Sequence, residues 1–353
     1  VDPILSLCRW FAERVLGGSF NEWARRGEPA FLFFDEVQNL PDWAPQIKAL
    51  VDHHEVRVLL TGSSALRIES GRDSLAGRIS PLELGTLLLR EVAVLRGWGE
   101  LPSLLPSNGL KELKDLAFWK ELARHGKQHK ELRDQAMSAF SERGGYPIAQ
   151  ARADRPWEEI GNHLNETVIK RVIQHDLRIG DRGRKRDENL LEELFRLCCR
   201  YAGQAPGQSV FITELQSALA ANIGWQRVLA YLRFLNDTLL IRLVRPLELR
   251  LKRSKGPPKL CLCDHSLRAS WLQENIPLTT EGLRRAPHLS DLAGHIAESI
   301  TGYFLGSIPG LDLAWFPERG RENERGWCLP GRQPLNFAAK LLVELRGVEP
   351  LTS

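Results

Sequence analysis

Two adjacent carboxylates, Asp35 and Glu36, follow an apolar run from Ala30 to Phe34. That order suits phosphoryl transfer: an aspartate at a strand end can hold Mg²⁺, directly or through water, and the next glutamate can orient a water for attack on a γ-phosphate. Asp35 takes the first role and Glu36 the second. A second apolar run, from Val56 to Leu60, ends in Thr61-Gly62-Ser63-Ser64. Thr61 or Ser63 suits a sensor that hydrogen-bonds the γ-phosphate or the attacking water. Arg78 follows in SLAGRIS, where a guanidinium can stabilise charge on a bound nucleotide or on that of a neighbouring subunit. Each signal alone is weak, because apolar runs ending in Asp-Glu arise by chance and most Thr-Gly-Ser-Ser turns are merely solvated.

The elements that must position these groups can be read from periodicity. Ala30–Phe34 reads as a buried parallel strand with acids at its C-terminal end. Trp43, Ile47, Leu50 and Val51 repeat at helical spacing, with Pro45 tolerated in the first turn. Val56–Leu60 is the next strand. Strand, helix, strand at this spacing is a βαβ unit whose right-handed crossover brings Asp35, Glu36 and the Thr61 turn to one sheet edge, where α/β proteins bind ligands.

Beyond residue 91 the character changes. RGWGELPSLLPSNG marks a boundary over 92–109. Helical patterns follow over 110–140 and 157–177, with the turn Gly144–Pro147 between them. Residues 189–267 carry a Leu-rich helix, a short helix from Thr213, a helix from Trp225 to Asn236, the strand-like LLIRLV, a Pro- and Lys-rich turn and KLCLCD. Three helices followed by a two-stranded ribbon is the order of a winged helix.

Composition bounds the class. The chain has 353 residues, 43% apolar and 26% charged, with a net charge of +4. This is ordinary for a globular protein of two or three domains, and it contains no apolar run near the roughly 18 residues that a membrane helix requires. A charge this small does not argue for nucleic acid by itself, although 178–186 and 245–259 concentrate basic residues. None of the six cysteines forms a CxxC set. They read as buried thiols in a reducing, cytoplasmic compartment.

Taken together, FLFFDEVQNLPDW, VLLTGSSA, LAGRISPLELGTLLLRE and GGYP resemble a widespread prokaryotic AAA ATPase family over roughly residues 1–324, with Asp35-Glu36 as its Walker B segment. The resemblance implies ATP and Mg²⁺ as cofactors and ring-like oligomers among intact relatives. It also implies a winged helix and a C-terminal region similar to restriction-type nucleases. The winged-helix segment resembles DNA readers. Gln226, Arg227 and Arg233 would then be the polar face of the recognition helix, and Lys252, Arg253 and Lys255 the wing that neutralises phosphates. A winged helix in such an ATPase also packs against neighbouring domains.

Two departures from the family pattern matter. The chain has no GxxxxGK[ST] loop; its only Gly-Lys, Gly126-Lys127, is followed by Gln128. VDPIL resembles the segment that usually lies between the two ATP motifs, so truncation is the simplest expectation. Without the loop's amides and lysine the triphosphate lacks most of its charge compensation. In the nuclease-like region, Glu298, Arg319 and Glu324 fit the family pattern, but RGWCLPGRQPLNF then lacks the later Asp and Glu-x-Lys. A frameshift near Glu324 accounts for this, and Glu298 is expected to be a surface helix acid.

The expected fold is α/β: a partial P-loop NTPase (AAA-type) parallel sheet over 1–91, a helical lid over 92–188 and a winged helix over 189–270. An incomplete α/β nuclease-like region over 271–324 and an unpatterned tail over 325–353 complete it. The expected function is that of an ATP-binding, ATP-hydrolysing ATPase fragment, weak or inactive for want of the phosphate loop. The alternative is a DNA-binding or protein-interaction winged-helix protein with a vestigial ATPase half. A third expectation is the product of a decayed gene. Nucleotide, DNA and a protein substrate are the expected partners, with no membrane.

Overall fold

The computed structural model describes residues 2–40, 42–62, 75, 77–80, 82–104, 115–175, 187–246, 256–308, 311–316, 326–328 and 334–335. The chain divides into two compact units, Val1–Glu83 and Leu84–Ser353.

In the first unit, helix α1 (Pro3–Phe11) starts with proline in its first turn, where no backbone donor is lost. It continues into a π-helical turn, Ala12–Leu16, that Gly17 ends at φ +64°. Helix α2 (Phe20–Arg25) begins with a reciprocal cap: Glu22 N–H donates to Ser19 Oγ at 3.2 Å and Ser19 N–H to Glu22 Oε2 at 2.8 Å. Strand β1 (Ala30–Phe34) and strand β2 (Val56–Leu60) run parallel in register, Ala30 beside Val56 and Phe34 beside Leu60, joined through helix α3 (Trp43–His53). Both strands have the extents read from sequence.

Their burial differs from the expectation of a strand covered on both faces. Ala30, Leu32, Phe34, Val56, Val58 and Leu60 pack on a core of Ile4, Cys8, Phe20, Trp43, Ile47 and Leu50. The opposite face leaves Phe31 66%, Phe33 72% and Leu59 55% exposed. Among the described residues the sheet has only these two strands.

The second unit begins at Leu84, earlier in the chain than the boundary expected over 92–109. It contains α4 (Leu89–Leu95), α5 (Leu116–Gln128), α6 (Lys130–Arg143), α7 (Pro147–Ala151), α8 (Trp157–Leu164) and α9 (Arg171–His175). Next come α10 (Glu188–Arg200), α11 (Gln208–Leu219), α12 (Trp225–Asp237), and the antiparallel strands β3 (Ile241–Pro246) and β4 (Lys259–Leu262). Helix α11 starts five residues before the expected Thr213, with Gly207 as its N-cap. Helices α13 (His265–Leu272), α14 (Thr280–Arg285) and α15 (Ser290–Gly306) follow, and β5 (Ala314–Phe316), β6 (Gly326–Cys328) and β7 (Pro334–Leu335) extend the sheet in the order β4-β3-β5-β6-β7.

The GGYP turn is anchored by a buried carboxylate. Asp264 accepts from Gly145 N–H at 2.6 Å and from Ser266 N–H at 2.8 Å, and so caps α13 while holding the end of α6. Gly144 sits at φ +73°, and a Cβ there would lie 2.0 Å from Asp264 Oδ1. Only glycine combines that backbone with that closeness.

Candidate functional site

Parallel pairing of β1 with β2 places Asp35 and Thr61 side by side at the C-terminal ends of the two strands. Thr61 N–H donates to Phe34 O at 2.9 Å and Val37 N–H to Thr61 O at 3.2 Å, which closes the edge. The Thr61 hydroxyl donates to Asp35 Oδ1, and Glu36 N–H donates to the same oxygen at 3.0 Å. Two donors on Oδ1 fix the carboxylate's rotation. Among the described residues none donates to Oδ2, and the Asp35 side chain is exposed. An anchored carboxylate with one open oxygen fits a Mg²⁺ ion, which takes few carboxylate ligands and keeps several waters.

Glu36 adopts a left-handed backbone, φ 50° and ψ 38°, which is uncommon outside glycine and is seen at sites that aim a side chain. The backbone turns there into a single 3₁₀ turn, Val37–Asn39. Arg78 is held on the flank of α3, where its Nε donates to Asp52 Oδ1 at 2.6 Å. That bond holds the Asp52 carboxyl below the usual carboxylate range, with lesser help from the charges of Arg78, Lys48 and His53. Ser63 lies outside the described residues. A cavity of about 680 Å³ lies toward the opposite end of the strands, lined by Cys8, Arg9, Glu13, Phe20, His53 and His54 among others. None of Asp35, Glu36 and Thr61 lines it.

In the second unit, Gln226, Arg227 and Arg233 are exposed on α12, while Val228, Leu232 and Leu235 on its other face are buried. Arg227 is engaged by Asp187 at 2.9 Å and lies 5.9 Å from the centre of the Tyr231 ring. Lys252, Arg253 and Lys255 lie outside the described residues, as do Arg319 and Glu324.

Glu298 differs from the expected surface acid. Its side chain is 21% exposed and pairs with Lys259, whose side chain is 0% exposed. Lys259 Nζ also lies 5.8 Å from the Trp315 ring centre. Pairing across 39 residues leaves no local spacing signal in the sequence. The expectation of buried thiols holds for Cys8, Cys198, Cys199, Cys261 and Cys263. The Cys328 side chain lies outside the described residues. Among the described residues no helix is long and apolar enough to cross a membrane, and no group of three or more His, Cys, Asp or Glu is placed to hold a metal ion.

Residues 8–93 match the family described as an AAA domain. Residues 135–276 match a family described as a domain of unknown function. No curated protein matches the chain. The first match makes the region around Asp35, Glu36 and Thr61 an AAA-type, ATPase-like region. It ends beyond the compact unit that closes at Glu83, within α4.

Proposed function

We propose that residues 8–93 carry the acidic half of a magnesium-nucleotide site and that this chain by itself binds ATP weakly and turns it over slowly or not at all. Asp35, its carboxylate held by Thr61, would hold the metal directly or through water, and Glu36 would orient the attacking water. Bound Mg²⁺ supplies Lewis-acid charge compensation at the phosphates. The observation that carries the reading is the fixed Asp35 carboxylate beside Thr61 at the C-terminal edge of two parallel strands. The limit on turnover comes from the missing phosphate loop, since an exposed carboxylate pair supplies no donors to a triphosphate.

The test is equilibrium binding of a fluorescent ATP analogue to the full chain, with Mg²⁺ and with EDTA. Phosphate release is followed in parallel. Asp35→Asn should abolish the magnesium-dependent part of binding, while Glu36→Gln should leave binding intact and remove residual turnover. Binding that ignores both Mg²⁺ and Asp35→Asn would refute the assignment.

A second reading is favoured by the exposed stripe of Gln226, Arg227 and Arg233 on α12, with three helices followed by an antiparallel pair. On that reading the unit is a winged helix that contacts DNA. Its binding should weaken steeply with salt, as counterion release requires, and Arg233→Ala should flatten the dependence.

A further inference from the structure

The junction of α5 and α6 carries two histidines one helical turn apart, His125 and His129, that the ATPase reading does not use. His129 N–H donates to His125 O at 3.2 Å and Arg133 N–H to His129 O at 3.0 Å, so helical bonding runs through the pair. Residues at this spacing share one face, and the two rings lie 4.7 Å apart between centres, tilted by 58°. The His125 Nε2 is 2.9 Å from Pro102 O. A carbonyl oxygen only accepts, so Nε2 carries the proton and the neutral ring keeps its lone pair on Nδ1. A backbone carbonyl on the far nitrogen is how proteins orient histidines that ligate metals. Among the described residues no hydrogen bond occupies His125 Nδ1 or the His129 ring. Both residues are half-buried, and none of these nitrogens is sealed from solvent.

The separation of the rings suits a shared ion. With a metal–nitrogen bond of about 2.0–2.1 Å and the ring centre about 1.1 Å beyond the nitrogen, two imidazoles at an angle of about 90–110° on one ion have centres about 4.5–5.2 Å apart. The observed 4.7 Å falls inside that range. The cations around the pair are largely compensated: Arg124 bonds Glu121, and Lys130 and Arg133 bond Asp134. Glu121 precedes His125 by one turn. Its bond to Arg124, and after it the charge of His125, hold its carboxyl below the usual range.

We infer that His125 and His129 form a two-histidine site for a zinc-type divalent transition-metal ion. Among the described residues no third side chain completes the set, so water fills the remaining positions. Imidazole suits Zn²⁺, Cu²⁺ and Ni²⁺, whereas Mg²⁺ takes oxygen ligands. The site therefore differs in chemistry from that of Asp35, and it lies wholly within the second unit.

The experiment is calorimetric titration of the full chain with zinc chloride in a buffer free of phosphate and chelators, with Cu²⁺ as the spin probe. Expected are a saturable zinc site, a higher melting temperature with zinc, as an ion bound only by the folded state requires, and a copper spin resonance spectrum showing two imidazole nitrogens. His125→Gln and His129→Gln should each weaken zinc binding roughly tenfold or more, the loss that even an outer-shell partner brings. His129→Cys, which restores a zinc donor, should recover affinity that His129→Gln loses. His53→Gln, at an exposed histidine of the first unit, should bind zinc like the wild type. Neither ring is fully buried, so without metal both glutamine variants should melt within a few degrees of the wild type. Zinc affinity unchanged in either glutamine variant, a copper spectrum with a single imidazole, or no saturable binding at millimolar zinc overturns the site.

Discussion

Removing the Glu298 carboxylate tests whether that residue is structural. Lys259 is wholly buried on β4 and its ammonium pairs with Glu298 on α15. Deleting one partner of a buried pair typically costs about 3–5 kcal/mol, because the ion that stays buried loses part of its charge compensation. Glu298 is 21% exposed, so water reaches part of the pair and about 2–4 kcal/mol is the better figure for Glu298→Ala. At a urea m value of about 3 kcal/mol per M, the unfolding midpoint should fall by about 1 M. The assay is equilibrium urea unfolding followed by tryptophan fluorescence, since Trp315 lies against Lys259. The transition of residues 84–353 should be fitted separately from that of 1–83, because two units need not unfold together. The double variant Lys259→Met with Glu298→Leu should return to within about 1.5 kcal/mol of wild type, as apolar replacements of buried pairs commonly do. A midpoint shift below about 0.3 M in Glu298→Ala, equivalent to about 1 kcal/mol on the same slope, would refute the reasoning and leave Glu298 available for metal chemistry.

Three further outcomes follow from the geometry. Gly144→Ala should destabilise the second unit by at least about 2 kcal/mol, since it combines a left-handed backbone with a clash on Asp264, read as a lower melting temperature. Arg78→Gln should bring Asp52 back up toward its ordinary value of 3.8 in a carboxyl NMR titration. Because folding depresses the Asp52 value, the ion pair's stabilisation is present above the unfolded value and is lost as pH falls through the folded one. Arg78→Gln should therefore remove stability at neutral pH while leaving acid stability unchanged. Cys261 and Cys263, whose thiols burial pushes up to about 12, should resist a water-soluble disulfide reagent at pH 8 in the native chain and react once urea unfolds it.

How much was legible from sequence depended on whether the signal was local. Ala30–Phe34 and Val56–Leu60 could be bounded to the residue because each is a strand-length apolar run, the second broken only by Arg57, that ends at a polar residue, Asp35 or Thr61. Their pairing followed from the helix between them, and with it the meeting of Asp35 and Thr61. The first compact unit closes at Glu83, ten residues before the AAA match ends. Composition pointed instead to the Gly- and Pro-rich segment beyond. Helix α11 began early because Gln208 and Ser209 carry no apolar signal, although Gly207 before them can start a helix. The tie of Arg78 to Asp52 and that of Lys259 to Glu298 join residues 26 and 39 apart, and no spacing rule reaches across a fold.

The uncovered face of the β1–β2 sheet sets the kinetic fate of the chain as well as its surface. Ala-Phe-Leu-Phe-Phe has high strand propensity, no charge and no proline, and even when folded two of its phenylalanines stay exposed, beside strand edges that pair with no further strand among the described residues. Such a segment adds neighbouring chains as readily as it completes its own sheet. Self-association rises with concentration whereas folding does not, so dilution and low temperature should decide the yield of monomer recovered after denaturation.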